Sequence, residues 1–338
     1  MRLALLALVV AACGSPAAPA ASAKQEGKAV PPETPRAKAE LPPLSQEERA
    51  LAAELRSSVE HLAGTIGERN SDKKWELADA ADWLNGELER AGYSVERQGY
   101  EAGEVAAQNL IVEVPGRVPE AGSIVIGAHY DSAPASPGAD DNASGVAAVL
   151  ALARRFREEK PVRALTFALF ALEEPPHFQE ETMGSLVYAK RAAARGDEIT
   201  AMISIESIGY YSDAPNSQRY PEAIGPGHPT TGSFLAVVGN PESAALVDAL
   251  VAGLRQHGSL PVDGASLAED EAGFSDHWSF WQIGVSAAMV TDTAPFRNPH
   301  YHRPTDAVQT LDFERMARAV AGLTHVVAEL GGVRARKS

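Results

Sequence analysis

At 338 residues, 45% of them hydrophobic, the chain is long enough to bury a large core, and its apolar runs are too regular for a disordered protein. A formal net charge of -15 argues against the basic face that a nucleic acid or other polyphosphate partner would require. The single cysteine leaves no partner for an internal disulfide.

The chain opens with Met1-Arg2, a short apolar run and Val10-Ala11-Ala12-Cys13. One positive charge followed by an apolar stretch too short to span a bilayer predicts an export signal over residues 1–13. The four residues ending at Cys13 are similar to a bacterial lipobox, in which the cysteine is lipidated. An ordinary signal peptide with an incidental cysteine is the alternative. Lipid at Cys13 would make the membrane a partner through that anchor alone. Asp and Glu are missing from the positions just after Cys13, which points to the outer membrane, periplasmic or surface side. Residues 14–44 are rich in Ala, Pro, Lys and Glu without apolar periodicity and read as a flexible tether.

From Ser45 the pattern changes. A Ser cap, acidic Glu47-Glu48 and Leu51, Leu55, Val59 and Leu62 at helical spacing predict a helix. A second helix is predicted from about Asp72 to Gly92, then strands over 93–97 and 109–114. Strands are expected at 123–128, 163–171, 201–205, 234–238 and 285–291, with helices at 144–158, 185–194, 243–257 and from Asp312 to Gly331. Alternating strands and helices indicate one α/β/α domain, residues 45–332, with a mostly parallel mixed central sheet flanked by helices.

The acids and histidines fall at strand ends. His129 and Asp131 close one strand, Glu173-Glu174 another and Glu206 a third, while His302 follows a fourth. Parallel strand ends share one edge, so these residues converge, and imidazole with carboxylate suits Zn²⁺. Singly, each has a plainer explanation: a hydrogen-bonded core histidine, a solvated Glu-Glu pair, or Asp140-Asp141 as a helix cap.

Seven stretches carry a resemblance: Gly127-Ala128-His129-Tyr130-Asp131-Ser132, Gly138-Ala139-Asp140-Asp141-Asn142-Ala143-Ser144-Gly145, Glu173-Glu174-Pro175-Pro176, Met183-Gly184-Ser185, Ser204 to Tyr210, Ser275-Asp276-His277 and Pro299 to Asp306. In this order they resemble the co-catalytic zinc exopeptidases, which include bacterial leucyl-type aminopeptidases and glutamate carboxypeptidase II. Glutaminyl cyclases share that fold. The resemblance spans about Val59 to Leu330. It implies two Zn²⁺ per chain, other divalent metals being open, with Asp141 bridging. His129 and Glu206 would complete one metal, and Glu174 and His302 the other. Asp131 would orient His129, Glu173 would act as general base, and Tyr301 would meet the oxyanion or simply pack.

The implied activity is a metal-dependent exopeptidase acting on peptides, an aminopeptidase by family frequency. Carboxypeptidase-type or glutaminyl cyclase-like activity and a non-catalytic binding module are the alternatives. Oligomeric state is open. Asp276-His277 is expected to support the site, His300 to stay off the metal, and His177 to border the cleft. His61, His228, His257 and His325 are expected at the surface or in packing. Glu269-Asp270-Glu271 reads as a solvated loop that could also meet a substrate amine, and loops 213–231 and 260–274 are expected to shape the pocket.

Overall fold

The computed structural model describes residues 41–221 and 224–333. The export signal, Cys13 and nearly all of the tether lie outside the described residues. Helix α1 (Gln46–Val59) starts where Ser45 accepts from the Glu48 N–H and Glu48 reaches back to the Ser45 N–H. Such a reciprocal cap is worth about 1 kcal/mol. The helix passes into a wider π-type turn (Glu60–Ile66), and α2 (Lys74–Arg90) follows.

Eight strands form one sheet: β1 (Glu96–Ala102), β2 (Val105–Val114), β3 (Ser123–His129), β4 (Ala164–Phe170), β5 (Ile199–Glu206), β6 (Leu235–Gly239), β7 (Val262–Ser266) and β8 (Ala287–Thr291). Their order is β1-β2-β4-β3-β5-β8-β6-β7. The centre, β4-β3-β5-β8, is parallel, as is β6-β7, whereas β1-β2, β2-β4 and β8-β6 are antiparallel. The remaining helices are α3 (Gly145–Phe156), α4 (Gly184–Arg195), α5 (Ala244–His257), α6 (Glu269–Ala272), α7 (His277–Trp281), α8 (Ala294–Arg297) and α9 (Phe313–Gly331).

Strand periodicity divides the core. Ile124, Ile126 and Ala128 of β3 join a large apolar cluster with α1, α2, α3, α5 and α9, while Val125 joins a smaller one with α4 and α7. Both faces are therefore covered, which makes the sheet's strands apolar almost throughout.

Two sequence expectations shift. The strand expected at 93–97 begins at Glu96 and runs to Ala102, because Tyr93 still closes α2, its N–H bonded to Leu88 and its hydroxyl donating to the Ala153 carbonyl. Residues 260–274, read as loop, contain β7 and α6, and α7 follows directly; each is too short for a periodic signal.

Candidate metal centre and active site

Strands β3, β4, β5 and β8 run parallel, so their carboxyl ends, or the loops just after them, deliver His129, Glu173-Glu174, Glu206 and His302 to one edge. Asp141 arrives from the π-type turn Ala139–Ser144 that opens α3. Its carboxylate divides: Oδ1 lies 3.3 Å from His129 Nε2 and Oδ2 lies 3.0 Å from His302 Nε2. Glu206 Oε2 is 3.0 Å from His129 Nε2, and Glu174 Oε2 is 3.3 Å from His302 Nε2. Two donor sets result, His129/Asp141/Glu206 and Asp141/Glu174/His302, each with its ligand atoms within 4.8 Å of one another.

The donor chemistry fits zinc. Each set supplies imidazole nitrogen and carboxylate oxygen, and no Lys or Arg pairs with Asp141, Glu173, Glu174 or Glu206 among the described residues. Glu174 Oε1 is buried without a hydrogen bond, a costly arrangement for a carboxylate that lacks a cation. Burial pushes Glu173 well above the usual carboxylate range and Glu174 up to about 7, with neighbouring carboxylates adding to it. Burial alone would lower His129 and His302, yet Glu206 and Glu173 raise the first and Asp141 and Glu174 carry the second to about 10. The site is a concentrated negative potential of the kind a divalent cation neutralises.

Backbone geometry holds the ligands. Asp131 accepts from the Glu173 and Glu174 N–H groups at 3.0 and 3.1 Å, one on each oxygen. Its Oδ1 is 3.4 Å from His129 Nδ1, long for a hydrogen bond. Asp131 thus grips the adjacent acids more firmly than the histidine it was expected to orient. Asn142 donates to the Glu206 carboxylate and to the Ile205 carbonyl, Ser275 and Ser207 hydroxyls reach the same carboxylate, and the Asp141–Asn142 peptide is cis. Leu172, Ser207 and His302 have φ of 57°, 45° and 55°. Left-handed backbone at three such positions, each costing of the order of 1–3 kcal/mol, concentrates at functional sites.

Asp140 turns away from both sets. It accepts from the Gly209 N–H and from Asn298 Nδ2, and burial pushes it up to about 6. Two buried residues have no role of their own assigned from the sequence. Asp306 accepts from the N–H groups of Asp140 and Asp141. Arg69 donates to the carbonyls of Gly67, Tyr130, Pro137 and Gly138, clamping the loop that joins His129 to Asp141. Gly138 on that loop has φ 61°, and a Cβ there would stand 2.4 Å from the Asp141 carbonyl oxygen.

Tyr301 stacks on His302 with ring centres 3.9 Å apart and lines the same cavity, of about 190 Å³. His300 bonds Thr305 instead and belongs to neither donor set. Asp276 and His277 are fully buried behind the site. His177 is held by Thr182, and its neighbours Pro175 and Phe178 line the cavity in its place. His61 stacks on Trp83 and His257 on His325, as packing residues. His228 does not: it lines the cavity, bonded at 2.6 Å to Asp263, and Glu271 lines it too.

A covered, mixed α/β sheet with two overlapping imidazole–carboxylate sets at its strand ends defines a metallo-exopeptidase, a hydrolase. The chain belongs to Peptidase family M28, whose sequence pattern matches residues 109–327. It is 36% identical over 286 residues to YfbL, an uncharacterized protein of Escherichia coli K12, covering 81% of this chain and 87% of that one. A probable leucine aminopeptidase of Trichophyton verrucosum is 26% identical over 273 residues, covering 75% of this chain. This chain spans 66% of that enzyme's length. The zinc aminopeptidase BSAP of Bacillus subtilis shares the fold, with a TM-score of 0.66 at 15% identity, covering 85% of this chain and 96% of that one.

Proposed function

We propose that the protein is a two-zinc aminopeptidase that removes residues from the N-terminus of peptides, with residues 45–332 as its catalytic domain. The observation that carries the reading is Asp141, which offers one oxygen to each histidine. His129 and Glu206 would hold one zinc, and Glu174 and His302 the other. Bound zinc would supply Lewis-acid polarisation of a water and of the scissile carbonyl.

Glu173 is the base. It is buried, its Oε2 lies 3.9 Å from His129 Nε2, and Asp131 fixes its backbone. With a bound cation offsetting the neighbouring carboxylates that raise it, its carboxylate takes the proton of the attacking water and passes it to the leaving amine. Burial keeps the Tyr301 hydroxyl protonated, so it can donate to the oxyanion that develops on the carbonyl.

Aminopeptidase over carboxypeptidase is favoured by the cavity lining, which includes no Lys or Arg among the described residues to receive a C-terminal carboxylate. Glutaminyl cyclase-like transfer is disfavoured by the complete His129/Asp141/Glu206 set. The test is a screen of the zinc-replete protein on free and N-acylated peptides. Stepwise release from free N-termini, abolished by chelation, is expected; release from the C-terminus or cyclisation of N-terminal glutamine would overturn the reading.

The leader sequence supports export and a lipid anchor on Cys13. Palmitate labelling and membrane association should both disappear in Cys13→Ser, and a fully membrane-bound variant would remove the anchor.

A further inference from the structure

The sheet register runs straight from the metal centre to a second carboxylate. Glu206 pairs with Thr291, Thr291 with Ala236, and Ala236 with Asp263. Paired residues point to the same face, and all four line the one cavity. Three strand spacings of about 4.8 Å put the Glu206 and Asp263 backbones roughly 14 Å apart. Between them the floor is two small side chains, Thr291 and Ala236, and the walls include Phe234, Val238, Leu267 and Met289. The cavity is an apolar trough with a metal-binding carboxylate at one end and another carboxylate at the other.

Asp263 is 2.6 Å from His228 Nδ1 through Oδ2 alone, so Oδ1 remains to meet a ligand. Glu271 also lines the trough, with no hydrogen bond or ion pair to its carboxylate among the described residues. No Lys or Arg lining the cavity neutralises either acid. A net charge of -15 adds a long-range pull on cations.

We infer that the trough selects peptides whose N-terminal residue carries a long aliphatic stem and a cationic end, arginine or lysine. The inference rests on the aminopeptidase reading and names its substrate class. With the scissile carbonyl at the Glu206 end, an arginine side chain of six bonds reaches roughly 7 Å from its Cα. That reach and a head-group hydrogen bond of about 2.8 Å together cover most of the distance to Asp263, and the scissile group at the Glu206 end takes up the remainder. A leucine side chain stops short of Asp263. The methylene stem buries against Phe234 and Met289 while the head stays paired, the arrangement long basic side chains favour. A neutral head of the same shape would leave Glu271 without a counter-charge and Asp263 with His228 as its one basic neighbour among the described residues.

The discriminating pair is the p-nitroanilide of arginine against that of citrulline, which keeps the shape and loses the charge, with lysine against norleucine as a second pair. For the zinc-replete protein kcat/KM should favour the charged member of each pair by about tenfold or more. Asp263→Asn should bring the arginine-to-citrulline ratio close to one, Glu271→Gln should lower it, and Asp263→Glu should restore most of it. A ratio is read because general loosening of the fold would slow both substrates together. Hydrolysis of leucine p-nitroanilide with no preference for charge overturns this inference and leaves the aminopeptidase reading standing. So does a ratio that Asp263→Asn leaves unmoved. Failure to hydrolyse any aminoacyl anilide overturns both.

Discussion

Asp141 and Glu173 are buried in one cluster, yet substitution should separate them. Glu173 belongs to neither donor set. Glu173→Gln is therefore expected to keep its zinc and lose about 10²–10⁴ in kcat, the ordinary contribution of a positioned base. Asp141→Ala removes the one carboxylate shared by both sets and should lose zinc and activity together. Metal content by mass spectrometry beside single-turnover rates checks both, and full turnover in Glu173→Gln would end its role as base. At this scale the sequence is legible where chemistry leaves a type at a strand end, as at His129 or Glu206. Arg69 escapes such reading because its guanidinium meets only backbone carbonyls, which no residue pattern encodes. Asp131 is visible, but its grip on two N–H groups of the next strand end is a matter of distance across the fold.

Elements are legible in proportion to their length. The 19 residues of α9 bury Met316, Val320, Leu323 and Val327 at helical spacing, as its sequence requires. The five of α7 offer barely a turn, and packing decides them. Trp281 packs edge-on to His277, 4.7 Å between ring centres, and the histidine Nε2 donates to the Ala272 carbonyl at 2.8 Å. Burial lowers His277 to about 4 from an ordinary 6.5. The folded value lies below the unfolded one, so the unfolded chain binds the extra proton between those two pH values. Stability is complete above about pH 6.5 and is lost as pH falls toward 4, by up to about 1.4 kcal/mol per pH unit from this group. In the His277→Gln variant the slope of stability against pH should be shallower by one proton across that window. Denaturant titrations at successive pH values measure it, and identical slopes would show that His277 titrates normally.

On the scale of the whole molecule, the donor sets draw on residues from His129 to His302, so they exist only when the central strands are in register. That convergence was legible, because parallel strands must end on a common edge. The strand order was not: β8 enters between β5 and β6, and β6 reverses direction, choices that composition and periodicity leave open. The consequence is a coupling of metal to global stability. Zinc that binds the assembled sets and not the unfolded chain stabilises by RT ln(1 + [Zn]/Kd), about 4 kcal/mol at a thousandfold excess over Kd. It also relieves the mutual repulsion of Asp141, Glu174 and Glu206, which no Lys or Arg offsets among the described residues. For a domain of this size, stripping zinc should lower Tm by roughly 5–10 °C. Returning it should raise Tm in proportion to the logarithm of its concentration. Asp141→Ala should melt near the stripped wild type and ignore added zinc, because its two sets have lost their common member. Scanning calorimetry across a zinc titration distinguishes the cases. A melting temperature indifferent to chelation would mean that the sheet holds these carboxylates together unaided, and that the strand ends do not form a metal centre.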